Sequence, residues 1–174
     1  MDQTPHHVVG RTILVAEDTD TDFYLLERTF QDYNTALQLM RVCDGVEAIE
    51  YLAGERRFSN RAEFPLPHLL LLDLKMPRKD GFDVLQWVRN QESLRWLPVV
   101  IFTSSAETRD LQRAYGLGAT SYLVKPMFAE YATLVRTLAE YWLGLNEVPE
   151  LSRDGDGTAD DVAAAWFEKT KSMR

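Results

Sequence analysis

Apolar residues along this chain come in short runs that end on polar side chains, and between the runs they recur every three or four positions. TILVA at 12–16, ALQLMRV at 36–42, HLLLLD at 68–73, LPVVIFTSS at 97–105 and SYLV at 121–124 read as strands, several of them buried on both faces. Between them, Phe23, Leu26 and Phe30 fall on one helical face, and Asp20, Thr21 and Asp22 are its candidate N-caps. Asp44 to Glu47 opens a helix with capping-box spacing, and Gly54 ends it. Asp80-Gly81 is a turn before a helix carrying Phe82, Val84, Leu85 and Val88. Further helices are expected over 107–115 and 128–145, the last with a stripe of Tyr131, Leu134, Val135, Leu138, Trp142 and Leu145 and with Tyr141 beside it. Five strands alternating with five helices predict an α/β fold, a doubly wound parallel sheet with helices on both faces. The loop 55–67 is longer than such a connection needs, so it is a candidate contact surface.

Composition narrows the function classes. A chain of 174 residues with 45% hydrophobic content makes one domain with room for a tail: a leader at 1–10, a domain at 11–147 and an extension at 148–174. His6 and His7 in the leader lack further metal ligands and read as solvated. The extension begins as a Gly/Asp-rich linker and ends in a short helical pattern whose Trp166 and Phe167 would pack on the domain or on a second subunit. It is too short for an output domain. A formal charge of -8 without a basic cluster argues against nucleic acid as a partner. Cys43 is the only cysteine, so no internal disulfide forms, and it is expected to be a small buried residue. With no apolar segment suited to a signal peptide or a membrane span, no membrane partner is expected and the cytoplasm is the expected compartment.

The chemistry gathers at strand ends. Glu17 and Asp18 follow the first strand, Asp73 the third, Thr103 the fourth and Lys125 the fifth, and in a doubly wound sheet these carboxyl ends face one crevice. Carboxylates packed together repel and raise one another's pKa unless a cation joins them, and Mg²⁺ suits one or two carboxylates plus a phosphoryl group. Lys125 adds a point charge for an anion and Thr103 a hydroxyl that can follow a phosphoryl oxygen. The competing structural readings are a turn-forming Asp73, acids favoured at a helix N-terminus for Glu17-Asp18, and an ordinary strand aromatic for Tyr122.

The ordered set of Glu17-Asp18, Asp73 in LLDLKMP, Lys75, Gly81, Thr103, Tyr122 and Lys125-Pro126 resembles the receiver domain of two-component response regulators, over roughly 12–145. The resemblance implies a flavodoxin-like receiver fold with strand order 2-1-3-4-5. It implies that Asp73 takes a phosphoryl group from a sensor histidine kinase, and that Asp18 and Asp73 bind Mg²⁺ with the backbone carbonyl of Lys75 and support from Glu17. Thr103 and Lys125 would hold the phosphoryl oxygens, the Lys125–Pro126 bond would be cis, and Thr103 and Tyr122 would form the switch. The pattern from Tyr141 to Pro149 is similar to single-domain regulators paired with bacterial phytochrome kinases, which makes a bacteriophytochrome the candidate kinase. The long last helix points to a homodimer, and a downstream protein partner of unknown identity is implied.

Other classes fit less well. An Asp-nucleophile phosphatase carries a second Asp two residues after the nucleophile, where this chain has Lys75, so the protein is not expected to be an enzyme. A nucleotide site would need glycine after the first strand, where Glu17-Asp18-Thr19-Asp20 stands. The alternative retained is a receiver-like interaction module that acts without phosphorylation.

Overall fold

The computed structural model describes residues 10–33 and 37–147. Its strands are β1 (Thr12–Ala16), β2 (Gln38–Val42), β3 (Leu69–Leu72), β4 (Val99–Thr103) and β5 (Ser121–Val124), and its helices are α1 (Asp20–Tyr33), α2 (Gly45–Ala53), α3 (Gly81–Arg89), α4 (Thr108–Gly116) and α5 (Phe128–Ala139). The strands pair in parallel in the order β2-β1-β3-β4-β5, the expected order.

The period of two along a strand divides the core into two halves. Leu14, Ala16, Leu70, Leu72, Val99 and Ile101 point to one face and meet the apolar sides of α2 and α3; Ile13, Val15, Leu69, Leu71, Val100 and Phe102 point to the other and meet α1 and α5. Both faces are covered, which is why these central strands are apolar without alternation. The helices differ in how firmly they are seated. α3 buries Gly81, Phe82, Val84, Leu85 and Val88, whereas α4 buries Ala114 and leaves Leu111 and Tyr115 exposed.

Several expectations need correction. Cys43 is exposed, because β2 ends with Val42 in the core and the next position in the alternation faces out. The Lys125–Pro126 bond is trans, the isomer favoured by about 0.5–1 kcal/mol where nothing enforces the other. Asp20, Thr21 and Asp22 lie inside the first turn of α1, with Thr19 flanking it and accepting from Phe23 N. Asp44 caps α2 by accepting from the N–H groups of Val46 and Glu47, but the Glu47 carboxylate accepts from Cys43 N rather than from Asp44 N. The reciprocal capping box forms at Asp80 and Asp83 instead.

The stripe on the last helix holds as far as Trp142: Tyr131, Val135 and Leu138 are buried and Leu134 and Trp142 pack against the same core. The helix widens to π spacing over Glu140–Leu145, where Leu145 is 74% exposed and Tyr141, beside the stripe, 51%. The 55–67 loop turns its rings inward. Phe58 and Phe64 meet Tyr51 and each other tilted or edge-to-face at centroid distances of 5.1 to 6.1 Å, and Arg61 donates to the carbonyls of Tyr51, Leu52 and Phe64. Among the described residues no helix is long and apolar enough to cross a membrane. His6, His7, Trp166 and Phe167 lie outside the described residues.

Candidate functional site

Parallel pairing delivers the acids to one place. β1 and β3 are adjacent, and Asp73 N donates to Ala16 O at 3.0 Å, so Asp73 stands directly beside Glu17 and Asp18. Glu17, Asp18 and Asp73 each present one oxygen within 4.8 Å of the others. Glu17 is 1% and Asp73 6% exposed, while Asp18 faces solvent, so the group is a recess with an open side.

Lys125 closes the recess from β5. Its N–H donates to Thr103 O at 2.8 Å, which anchors the backbone, and its ammonium donates to Glu17 Oε2 at 2.6 Å, Asp22 Oδ2 at 2.7 Å and Asp73 Oδ2 at 2.9 Å. The side chain is 9% exposed. Burial pulls the Lys125 pKa down, but the hydrogen bonds it donates to Asp22, Glu17 and Asp73 outweigh it and carry the ammonium above its ordinary range. For Glu17 the balance runs the other way. Burial raises its carboxyl above the usual range, with the Lys125 contact only partly offsetting it. One ammonium thus stands among Glu17, Asp18, Asp22 and Asp73, a surplus of hard oxygen donors of the kind a small divalent cation takes.

The approach to Asp73 is shaped by backbone. Asp73 Oδ1 accepts from Lys75 N at 3.2 Å, which leaves the Lys75 carbonyl on the same loop. Gly81 opens α3 against the Asp73 peptide, and a Cβ there would fall 2.9 Å from Leu74 Cα and closer still to Asp73 O. Arg78, with φ of 63°, donates Nε to Asp44 Oδ2 at 2.7 Å and ties this loop to the start of α2.

Thr103 lies one strand away. Its fully buried hydroxyl accepts from Ser105 N at 3.3 Å rather than reaching Asp73, and the Tyr122 hydroxyl points inward and donates to Ser105 O at 3.0 Å. Glu17, Asp18, Asp73 and Lys125 are therefore brought together, with Thr103 and Tyr122 joined through Ser105 at the edge of the site. Sequence reasoning missed Asp22 as a partner of Lys125. The available signal was its place in the first turn of the helix that follows Glu17-Asp18. It also missed Ser105, whose hydroxyl donates to Asp110 Oδ2 at 2.6 Å.

Known proteins resemble this chain in sequence and in fold. The chain is 37% identical over 138 residues to the probable methanogenesis regulatory protein FilR2 of Methanothrix harundinacea, covering 79% of this chain and 86% of that one. The phosphorylated cyanobacterial phytochrome response regulator RcpA superposes with a TM-score of 0.76 at 29% identity, over 80% of this chain and 99% of that one. The Mn²⁺-bound form of response regulator Rcp1 superposes with a TM-score of 0.75 at 29% identity, over the same shares. A family model for the response regulator receiver domain matches residues 13–137, and the chain belongs to that family.

Proposed function

We propose that this receiver accepts a phosphoryl group on Asp73 from a phosphohistidine of a sensor histidine kinase and signals through protein–protein contacts. The observation that carries the reading is the Asp73 carboxylate, 6% exposed, 2.9 Å from the Lys125 ammonium and clustered with Glu17 and Asp18. An Asp73 oxygen attacks phosphorus, the P–N bond breaks, and the imidazole leaves with the electron pair of that bond. Lys125 balances charge on the transferred oxygens, and Thr103 supplies a hydroxyl to one of them.

Asp18 and Asp73, with the Lys75 carbonyl and Glu17 behind them, would hold Mg²⁺, and their oxygen donors fit such an ion. When bound, the ion would neutralise charge that builds on the phosphoryl oxygens. The Mn²⁺-bound Rcp1 structure supports metal binding here by similarity. Likeness to the phytochrome regulator RcpA supports a bacteriophytochrome as the kinase. On this reading the domain spans 11–147, works in the cytoplasm, and turns over no external substrate. The exposed Tyr141 and Leu145 supply a surface for a homodimer.

Incubation with a small-molecule phosphodonor, with and without Mg²⁺, followed by intact-mass and peptide analysis, tests this. One Mg²⁺-dependent phosphoryl on Asp73, absent from Asp73→Asn, is expected. Absence of label from the unaltered protein would favour a module that acts without phosphorylation.

A further inference from the structure

Arg41 on β2 reaches past the end of β1 and holds the turn that carries the acids. In the parallel register it stands beside Val15; its Nε donates to Glu17 O at 3.1 Å and its Nη2 to Asp18 O at 3.2 Å. Those carbonyls belong to the two peptides on either side of the Asp18 Cα. One planar guanidinium thus fixes both, and with them the direction in which the Asp18 side chain leaves the chain. Two further contacts steady the fork: Nη1 donates to Asp20 Oδ1 at 2.7 Å, and the guanidinium lies over the Phe23 ring at 4.9 Å. The Asp20 side chain is 93% exposed, so that ion pair is worth little by itself and the carbonyl bonds matter more. None of these donors goes to the carboxylate of Glu17, Asp18 or Asp73. The exposed Asp18 carboxylate meets only the Thr19 hydroxyl, at 3.4 Å, among the described residues, so its direction depends on its backbone.

We propose that Arg41 is a positioning residue for the divalent-cation site, presetting the Asp18 carboxylate by clamping the two peptides around it. The proposal rests on the Mg²⁺ site proposed above. A small divalent cation tolerates little departure from its preferred geometry, and a carboxylate on a loose turn must be ordered at a cost in affinity. The charge of Arg41 acts in the opposite sense, because a guanidinium beside the acids repels a cation. The sign of the effect therefore separates the two roles. Positioning makes metal binding weaker when the fork is removed; repulsion would make it tighter.

Mn²⁺, which suits the same oxygen donors, is titrated into the full chain and its uptake read from loss of the free-ion electron paramagnetic resonance signal. The unaltered protein is compared with Arg41→Met, Arg41→Lys and Asp18→Asn, and Asp73 labelling by a phosphodonor is followed against Mg²⁺ concentration in the same preparations. Arg41→Met is expected to weaken Mn²⁺ binding roughly tenfold, although it removes a positive charge. Arg41→Lys, the milder change, keeps the charge but cannot bridge two carbonyls, so it should weaken binding to a similar extent. In both, the Mg²⁺ concentration for half-maximal labelling should rise by the same factor while the rate at saturating Mg²⁺ changes little, a split that a general loss of structure would not give. Unchanged or tighter Mn²⁺ binding by Arg41→Met would overturn the positioning role alone. Full affinity in Arg41→Lys would do the same, since charge without the fork would then suffice. No Mn²⁺ uptake by the unaltered protein, or uptake undiminished in Asp18→Asn, would overturn the metal site and this inference with it.

Discussion

Lys125 holds together side chains that would otherwise repel. Its ammonium touches Glu17, Asp22 and Asp73, and two of these carboxylates are almost wholly buried. Lys125→Ala leaves Glu17 desolvated without its cationic partner, with only the Thr19 N–H still donating to its Oε1, which should cost about 3 kcal/mol at neutral pH in the metal-free protein. The cost depends on pH. Burial already raises the Glu17 carboxyl, and loss of Lys125 raises it further. A carboxyl whose folded pKa exceeds its unfolded value binds its proton more tightly when folded, so stability is lost as pH rises through that window. Urea unfolding should therefore show the variant nearest to the unaltered protein at about pH 5 and furthest from it at about pH 7.5. A difference independent of pH would mean that Glu17 is not the group left stranded.

Tyr51 makes a second residue-scale case. Its hydroxyl donates to Pro65 O, and burial pushes its pKa up to about 12. The folded state then holds this proton more tightly than the unfolded chain between 10 and about 12, so stability falls as pH rises through that interval. Lys125, also raised, adds a fall above 10.5. Tyr51→Phe should lose about 1 kcal/mol near neutrality from the unpaired carbonyl, yet show a shallower alkaline decline than the unaltered protein. Parallel curves would contradict that origin.

At the scale of elements, the site depends on how closely α3 approaches the end of β3. Gly81 N donates to Leu74 O at 3.0 Å, and the Asp80–Asp83 box fixes where the helix starts. Gly81→Ala places a methyl carbon against the Asp73 peptide, so either α3 retreats or Asp73 moves. The expected loss is about 1–3 kcal/mol, with slower labelling of Asp73 by a phosphodonor. Thermal unfolding and labelling rate measured on one sample check both. A stable variant with normal labelling would show that α3 can retreat without disturbing the site.

The helices also divide by role. α3 is seated by five buried residues and behaves as scaffold, while α4 is seated by Ala114, by Arg113 over the Phe82 ring and by hydrogen bonds from the β4–α4 loop. An element held this lightly is where a switch can act without unfolding the core.

At the scale of the whole molecule, the two halves of the core close both faces of the sheet, and Tyr141 and Leu145 at the end of the last helix are among the apolar side chains left exposed. If the proposed homodimer forms through this surface, Leu145→Asp should leave folding intact and weaken self-association at least about tenfold, roughly 1.4 kcal/mol. Sedimentation over a concentration series reads this directly, and an unchanged mass would overturn the proposed contact.

The order of elements, the parallel sheet and the identity of Asp73, Asp18, Glu17 and Lys125 as strand-end residues could all be read from the chain. Each depends on local periodicity and on the rule that parallel strands share a carboxyl end. The chain also carried the family resemblance in residues that stand far apart in sequence. What it did not carry were choices made between neighbours in space. Asp22 joins Lys125 across 103 positions. Glu47 turns to Cys43 rather than Asp44, and Cys43 faces outward. Ser105 meets Asp110 and Tyr122 at once. Such side chains had several partners within reach, and which one each took was decided by burial and backbone position, quantities that exist only once the sheet has formed.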